Sequence, residues 1–289
     1  MSRTVAIVQA RIGGTRFPGK IMADIEGQPL IVRQMDRMRR AQAPDKIVVA
    51  VPCGSPSWPD ATGDKELAEF CTARGWTCWA GPEEDVLRRY AEAAKWYEAD
   101  PIVRMTMDCP LIDWGIIDGC VKLYRQGGAD YVSNNLERTF PHGIDVKVFS
   151  AKALRDAHEQ STDPFEREHV TEWIKRHQDR PYRLANLYYP IETVSPQLAA
   201  IMIAARLTVD YPEDLELVRA IYRAFPGKDY ITIADVIGLL AEKPELMKIN
   251  EHRALEHVQH LSGHFEPVSE VARQQERRAL AEAMRRMKA

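Results

Sequence analysis

Thr4–Lys20 reads TVAIVQARIGGTRFPGK, and the join between its two halves decides the fold. Thr4–Gln9 is a short β-branched and apolar run, which predicts a buried strand. Ala10–Lys20 then carries three glycines (Gly13, Gly14, Gly19) and three cations (Arg11, Arg16, Lys20). A strand that empties into such a loop resembles a triphosphate cradle. The glycines let backbone N–H groups turn toward an anion, and the cations neutralise it. The competing reading is a basic surface turn. Gly14-x4-Gly19-Lys20 also fits the first part of a P-loop, but Ile21 stands where Ser or Thr would hold Mg²⁺, and Pro18 stiffens the loop. A P-loop kinase or ATPase is therefore disfavoured.

The pattern continues outward from this loop. Leu30–Arg40 predicts a helix, Lys46–Val51 a second strand stopped by Pro52, and Gly54–Gly63 a loop rich in Gly, Pro and Ser. Asp64–Arg74 predicts a helix, Trp76–Ala80 a third strand, Glu83–Tyr97 an amphipathic helix, Ile102–Met107 a fourth strand, Gly115–Gln126 a helix and Asp130–Asn134 a fifth strand. Strand and helix alternate every ~25–30 residues, the signature of βαβ units in a mostly parallel sheet with helices on both faces. The expected class is a three-layer, Rossmann-like α/β domain. Ligands in such sheets sit at the carboxyl ends of the strands, which points to the loops after Gln9 and Met107. Further on, Ile144–Phe149 predicts a strand, Asp163–Lys175 a helix, Arg183–Tyr189 a strand, Arg206–Val209 a last short strand and Pro212–Phe225 a helix. Ser262–Pro267 reads as a linker and Ser269–Lys288 as an Arg-rich helix, so the chain divides into residues 1–250 and a helical extension, 251–289.

Composition narrows the classes. The 289 residues are 45% hydrophobic and 28% charged, which suits a soluble globular protein. Net charge is −3, so a nucleic-acid coat is disfavoured. Cys53, Cys71, Cys78, Cys109 and Cys120 form no C-x-x-C pair, which argues against a disulfide framework or a structural zinc and fits a cytoplasmic protein. No apolar run reaches a membrane span, and the start of the chain has no signal-peptide layout. His252, His257, His260 and His264 match no zinc spacing and read as solvated side chains.

Six segments in order, Gln9–Lys20 (QARIGGTRFPGK), Asp85–Tyr90 (DVLRRY), Val103–Asp113 (VRMTMDCPLID), Phe140–Phe149 (FPHGIDVKVF), Glu166–Thr171 (EREHVT) and Arg206–Leu215 (RLTVDYPEDL), resemble the cytidylyltransferase family that includes the CMP-Kdo and CMP-sialic acid synthetases. The branch resembled is that of the spore coat polysaccharide biosynthesis protein. The resemblance spans about residues 1–250. It implies a nucleotide-diphospho-sugar transferase-like fold with a small dimerisation element around Arg183–Ala205, and a cytoplasmic homodimer. It implies transfer of CMP from CTP to a sugar, sugar acid or similar small polar acceptor, with pyrophosphate released, for polysaccharide or glycan biosynthesis. Ala10, Arg11, Gly13, Gly14, Arg16, Lys20, Arg104 and Asp108 would bind the nucleotide. Lys20, Arg11 and Arg16 would also serve catalysis by stabilising the leaving pyrophosphate. Asp108 and Asp210 would hold Mg²⁺; the weaker, structural reading makes each a helix N-cap, as Asp113 and Asp214 are expected to be.

On the acceptor side the resemblance points to Asn134, His142, Asp145, Glu166, Arg167 and His169, with Asn135 beside them. Their other reading is structural: a strand end for the asparagines and helix-surface ion pairs for Glu166 and Arg167. Lys147 stands where relatives often carry Glu, and Met107 where they often carry Gly. Two further classes stay open. A metal-dependent glycosyltransferase usually holds its metal with Asp-x-Asp, where this chain has Asp108-Cys109-Pro110. A non-catalytic nucleotide-binding subunit would bind CTP without turnover. No nucleic-acid partner and no membrane insertion are expected.

Overall fold

The computed structural model describes residues 3–53, 63–177 and 182–254. Nine strands lie among the described residues: β1 Arg3–Gln9, β2 Asp24–Ile25, β3 Gln28–Pro29, β4 Lys46–Cys53, β5 Thr77–Pro82, β6 Ala99–Thr106, β7 Tyr131–Ser133, β8 Lys147–Phe149 and β9 Leu184–Asn186. The helices are α1 Leu30–Met38, α2 Gly63–Ala73, α3 Val86–Trp96, α4 Trp114–Arg125, α5 Ala151–Gln160, α6 Pro164–His169, α7 Glu172–Arg176, α8 Pro196–Ala204, α9 Pro212–Ala224 and α10 Ile233–Glu242. Seven strands form one sheet in the order β5-β4-β1-β6-β8-β7-β9, and β2 pairs with β3 in a small hairpin. Neighbours in the large sheet are parallel except at β8, which runs against both β6 and β7.

Alternation along β1 shows why two helical layers are needed. Ala6 and Val8 enter one core with residues of α1, α2, α4 and α8–α10, while Val5 and Ile7 enter the other with α3, α5 and α7. A strand buried on both faces reads as a continuous apolar run, as Val5–Val8 does. Each fully buried Ile or Leu contributes ~1.5–3 kcal/mol, so the two cores dominate stability. The expected three-layer α/β class is the one observed.

Three expectations are corrected. Arg206–Val209 is not a strand of the sheet and makes a single bridge, Arg206 to His142. Its backbone is used elsewhere: Leu207 N–H donates to the His142 carbonyl at 2.6 Å and Val209 N–H to the Asp108 carbonyl at 2.7 Å. The helix expected over Asp163–Lys175 is two short helices, parted at Val170, which is buried with φ +64°. A β-branched residue pays steric strain there, of order 1–3 kcal/mol. The strand expected over Arg183–Tyr189 keeps only β9. The expected loop Gly54–Gly63 (apart from Gly63, which opens α2), the linker Ser262–Pro267, the helix Ser269–Lys288, and His257, His260 and His264 lie outside the described residues.

Candidate active site

Strand register brings the two flagged loops together. β1 and β6 are adjacent and parallel, and Gln9 pairs with Thr106 as both strands end. The glycine loop and Asp108 therefore emerge side by side. Met107 N–H donates to the Gln9 carbonyl at 3.0 Å and continues the pairing by one residue. Within the loop, Gly19 has φ +72°, which a side chain would resist, and its N–H closes onto the Ile12 carbonyl at 2.9 Å. The Ile12 N–H is held from outside by Asp64 of α2 at 3.2 Å.

Lys20, at the end of this loop, is the hub. Its Nζ donates to Asp108 Oδ2 at 3.1 Å, to Asp210 Oδ1 at 2.9 Å and to the Val209 carbonyl at 2.7 Å. Burial alone would lower the lysine pKa, but Asp108 and Asp210 reverse this and hold it above the usual value. Burial would likewise raise the Asp210 carboxyl; Lys20, Arg16 and Arg206 together hold it well below the usual carboxylate range. Arg16 Nη2 reaches Asp210 Oδ1 at 3.3 Å and stacks over Tyr211. Arg11 is exposed and makes no hydrogen bond or ion pair among the described residues. Ala10 N–H is committed to the Ala50 carbonyl, whereas Gly13 and Gly14 lie in the open part of the loop.

Neither Asp108 nor Asp210 caps a helix. Asp108 Oδ1 accepts from Thr106 Oγ1 at 2.6 Å, and Asp210 Oδ2 from Arg206 Nη2 at 2.9 Å. Of the two residues expected as N-caps, Asp113 is one, whereas the N-cap of α9 is Tyr211 and Asp214 is its third helical residue. Asp113 accepts from Gly115 N–H at the start of α4, and Asp214 reaches back to Tyr211 N–H at the start of α9. Two carboxylates and a backbone carbonyl around one cationic nitrogen form a hard oxygen donor set. Mg²⁺ is bound in this way, through one or two carboxylates with phosphate oxygens and water completing the shell. No cluster of three or more His, Cys, Asp or Glu side chains that could hold a metal exists among the described residues.

Three supporting residues escaped the reading of the sequence. Gln34 of α1 is fully buried; its Nε2 donates to the Thr106 carbonyl at 2.7 Å and its Oε1 accepts from Cys109 N–H at 2.8 Å. It clamps both sides of Asp108. Arg206 is buried between Asp210 and Asp214, with Nε at 2.9 Å from Asp214 Oδ1. Asn250 donates to Asp214 Oδ1 at 2.8 Å and to the Arg206 carbonyl at 3.0 Å. A polar residue inside an apolar helix stripe is the only signal the sequence offered, and it applies to Gln34 alone.

The acceptor-side candidates separate into two groups. Asn134 spends its amide on backbone, donating to the Ile144 carbonyl and accepting from Val146 N–H. Arg167 donates to Asp85 Oδ2, the N-cap of α3, at 2.6 and 3.0 Å and to the His158 and Ser161 carbonyls. Glu166 accepts from Ser161 Oγ at 2.7 Å. These three side chains hold elements together. Asp145, His142 and His169 are set differently. Asp145 receives a forked bond from Arg138 at 2.9 and 3.2 Å and one from Asn135 at 2.9 Å. Burial would raise its carboxyl, and Arg138 instead keeps it well below the usual range. His142 Nδ1 lies 3.2 Å from Arg206 Nη1, joining this side to Asp210. Burial first, then Arg104 and Lys147, lower the His169 imidazole, against Glu168 and Glu172. Arg104, expected at the nucleotide, donates to Gln9 Oε1 at 2.9 Å and lies over the Tyr90 ring.

Comparisons with known proteins place the chain among relatives. The chain is 28% identical over 250 residues to the spore coat polysaccharide biosynthesis protein SpsF of Bacillus subtilis, covering 85% of this chain and 97% of that protein. It is 35% identical over 149 residues to the 3-deoxy-manno-octulosonate cytidylyltransferase of an Anaeromyxobacter species, covering 48% of this chain and 56% of that enzyme. Its fold superposes on a cytidylyltransferase from Leptospira borgpetersenii with a TM-score of 0.73 at 27% identity, over 86% of this chain and 97% of that one. A CMP:2-keto-3-deoxy-manno-octonic acid synthetase solved with CTP shares the fold at a TM-score of 0.56 and 17% identity, over 77% of this chain and 99% of that one. With residues 5–230 matching the sequence model of the cytidylyltransferases, the chain belongs to that family and is a nucleotidyltransferase.

Proposed function

We propose that this enzyme transfers CMP from CTP to a sugar, sugar acid or similar small polar acceptor, in polysaccharide or glycan biosynthesis. The observation that carries the reading is the Lys20 ammonium joining Asp108 to Asp210 at the mouth of the glycine loop. A hydroxyl of the acceptor attacks the α-phosphorus and loses its proton to solvent. The bond from the α-phosphorus to the bridging oxygen breaks, and pyrophosphate leaves. Gly13 and Gly14 let the loop backbone approach the phosphates, and Ala10, whose N–H is already paired, fixes where the loop departs. Arg11, Arg16 and Lys20 hold the β- and γ-phosphates and offset the charge that builds on the leaving group. Asp108 and Asp210 would hold Mg²⁺, which when bound supplies Lewis-acid polarisation of phosphate oxygens.

The acceptor is read on the side of His142, Asp145 and His169, with Asn134, Glu166 and Arg167 fixing the walls that carry them and Arg104 between acceptor and nucleotide. Residues 1–250 are taken as the catalytic unit and 251–289 as its extension. A homodimer in the cytoplasm belongs to the same reading, supported by the family resemblance alone. Among the described residues no helix is long and apolar enough to cross a membrane.

The test is pyrophosphate release with Mg²⁺ and CTP, UTP, GTP or ATP in turn, across sugars, sugar acids and phosphorylated sugars. Release with CTP and one acceptor class, lost in Asp108→Ala, is the expected result. Release independent of the acceptor, or CTP binding with no release under any pairing, overturns it.

A further inference from the structure

Arg104, Lys147 and Ser133 stand in one row across β6, β8 and β7, paired Arg104 to Lys147 and Lys147 to Ser133. Side chains alternate along a strand, and Ile102, Phe149 and Tyr131, two positions away on each strand, all lie in the core facing α3, α5 and α7. Arg104 and Lys147 therefore project from the same face on adjacent strands. Like charges placed opposite each other in a sheet destabilise it unless something between them is negative.

Asp145 and Glu172 bring negative charge near Lys147 but only in part offset the pair. Arg104 is 7% exposed, its Nη2 is bonded to the neutral Gln9 amide, and its Nε has no partner. Lys147 makes no hydrogen bond and no ion pair among the described residues. The carboxylates nearest by are already engaged, Asp145 by Arg138 and Glu172 by Lys175 at 2.5 Å. The Tyr131 and Thr171 hydroxyls are buried beside each other, and Glu172 Oε2 is buried without a hydrogen-bond partner. Two adjacent cations, one with an unpartnered buried Nε, and two hydroxyls next to them are a donor set suited to an anion. Val170, held at φ +64° between α6 and α7, precedes Thr171 and Glu172, which lie beside Tyr131 and Lys147, and strained backbone of this kind recurs at binding sites.

We propose that Lys147 and Arg104 form a subsite for an anionic group, a carboxylate or a phosphate, carried by the acceptor. The inference rests on the nucleotidyl-transfer reading and names the charge class of its second substrate. Lys147 is the residue that sets this preference. Arg104 Nε and the two hydroxyls supply the remaining donors, and Glu172 Oε2 is placed to accept from a hydroxyl of the same molecule.

The groups facing Lys147 are Arg104 on β6, Asp145 ahead of β8, and Glu172 and Lys175 on α7, with His169 on α6 feeling its charge in turn. Burial, then Arg104 and Lys175, lower the Lys147 amine to about 7 against Glu172 and Asp145. An anion would pull the proton back, so binding takes up a proton and weakens as pH rises above 7.

Calorimetric titration without divalent cation, so that no turnover intervenes, tests this. The probes are 3-deoxy-manno-octulosonate and glucuronate as carboxylates, glucose 6-phosphate as a phosphate, and uncharged glucose, each with and without CTP. Wild type is compared with K147R and K147M. At least one anion is expected to bind about tenfold or more tighter than glucose, with K147M losing about that factor, K147R keeping most of it, and CTP affinity unchanged in all three. The arm that binds tells carboxylate from phosphate. Glucose binding as tightly as the anions, K147M binding anions like wild type, affinity flat between pH 6.5 and 8.5, or no anion binding at all each overturns the subsite. Failure to bind CTP in the same titrations counts against the nucleotidyl-transfer reading, and the lysine comparison is read separately from the titrations made without it.

Discussion

Gly143→Ala is a one-carbon change that should disable the enzyme from a position with no chemistry of its own. Gly143 has φ +105°, and a Cβ there would lie 2.2 Å from Thr208 N and 2.5 Å from the Leu207 carbonyl carbon. Comfortable contact between heavy atoms begins near ~3.5 Å, so the 206–209 backbone must retreat by about 1 Å or more. That segment delivers the Val209 carbonyl and Asp210 to Lys20. The backbone conformation itself costs Ala about 1–3 kcal/mol, which for a chain of this size lowers Tm by roughly 2–12 °C. A displacement of ~1 Å at positioned groups costs about 100-fold in rate. Steady-state pyrophosphate release, with melting followed by circular dichroism, is the assay. The variant should fold, melt several degrees early and lose about two orders of magnitude in kcat. Activity within about threefold of wild type, with the lower Tm, would show that placement of the 206–209 segment does not govern catalysis.

Three other outcomes are expected. Lys20→Ala should lower kcat by ~10²–10³ through lost charge stabilisation; because Asp108 and Asp210 then face each other without their ammonium, Mg²⁺ should raise the variant's Tm by more than it raises the wild type's, and an equal shift would count against a shared cation site. Asp214→Asn leaves the buried Arg206 with Asp210 but without its fully buried counter-charge and should cost about 3–5 kcal/mol in urea unfolding, a loss below 1 kcal/mol being the refuting result. Lys147 has a lowered pKa in the folded state, so between about 7 and the ordinary lysine value the unfolded chain binds the extra proton and stability rises with pH. Lys147→Met should remove that rise, seen by comparing denaturation midpoints at pH 7 and pH 9; the same slope in both proteins contradicts the assignment.

The parallel half of the fold was legible because its strands are continuous apolar runs separated by helices of the right length, and Thr4–Gln9 followed by glycines located the site. Periodicity failed where a segment has no single face. α8 (PQLAAIMIA) is apolar nearly all round and offers no stripe to read. Arg206–Val209 has strand composition, but its hydrogen bonds go to His142, Asp108 and Lys20, partners that only the tertiary fold brings near. Asp108 and Asp210 were accessible as candidates because each follows a β-like run. Gln34, Arg206 and Asn250 were not, since what they do depends on backbone groups far away in the chain. The E-R-E-H segment shows the opposite error. Its Glu166 and Arg167 suggest ligand contacts, yet they fasten α6 to its surroundings.

Asn250 lies twenty residues beyond the end of the family match at 230, and it grips both Asp214 and the Arg206 carbonyl beneath Asp210. Arg253 reinforces it, resting on the Tyr211 ring and pairing with Glu213 at 3.2 Å. Chains emerge from the ribosome N-terminus first and begin to fold as they do. The sheet, the glycine loop and both carboxylates can therefore be assembled while the bracket under Asp210 is still being synthesised. Competence is thus acquired late, and a nascent chain that already has the sheet would still lack a fixed site until Asn250 and Arg253 dock.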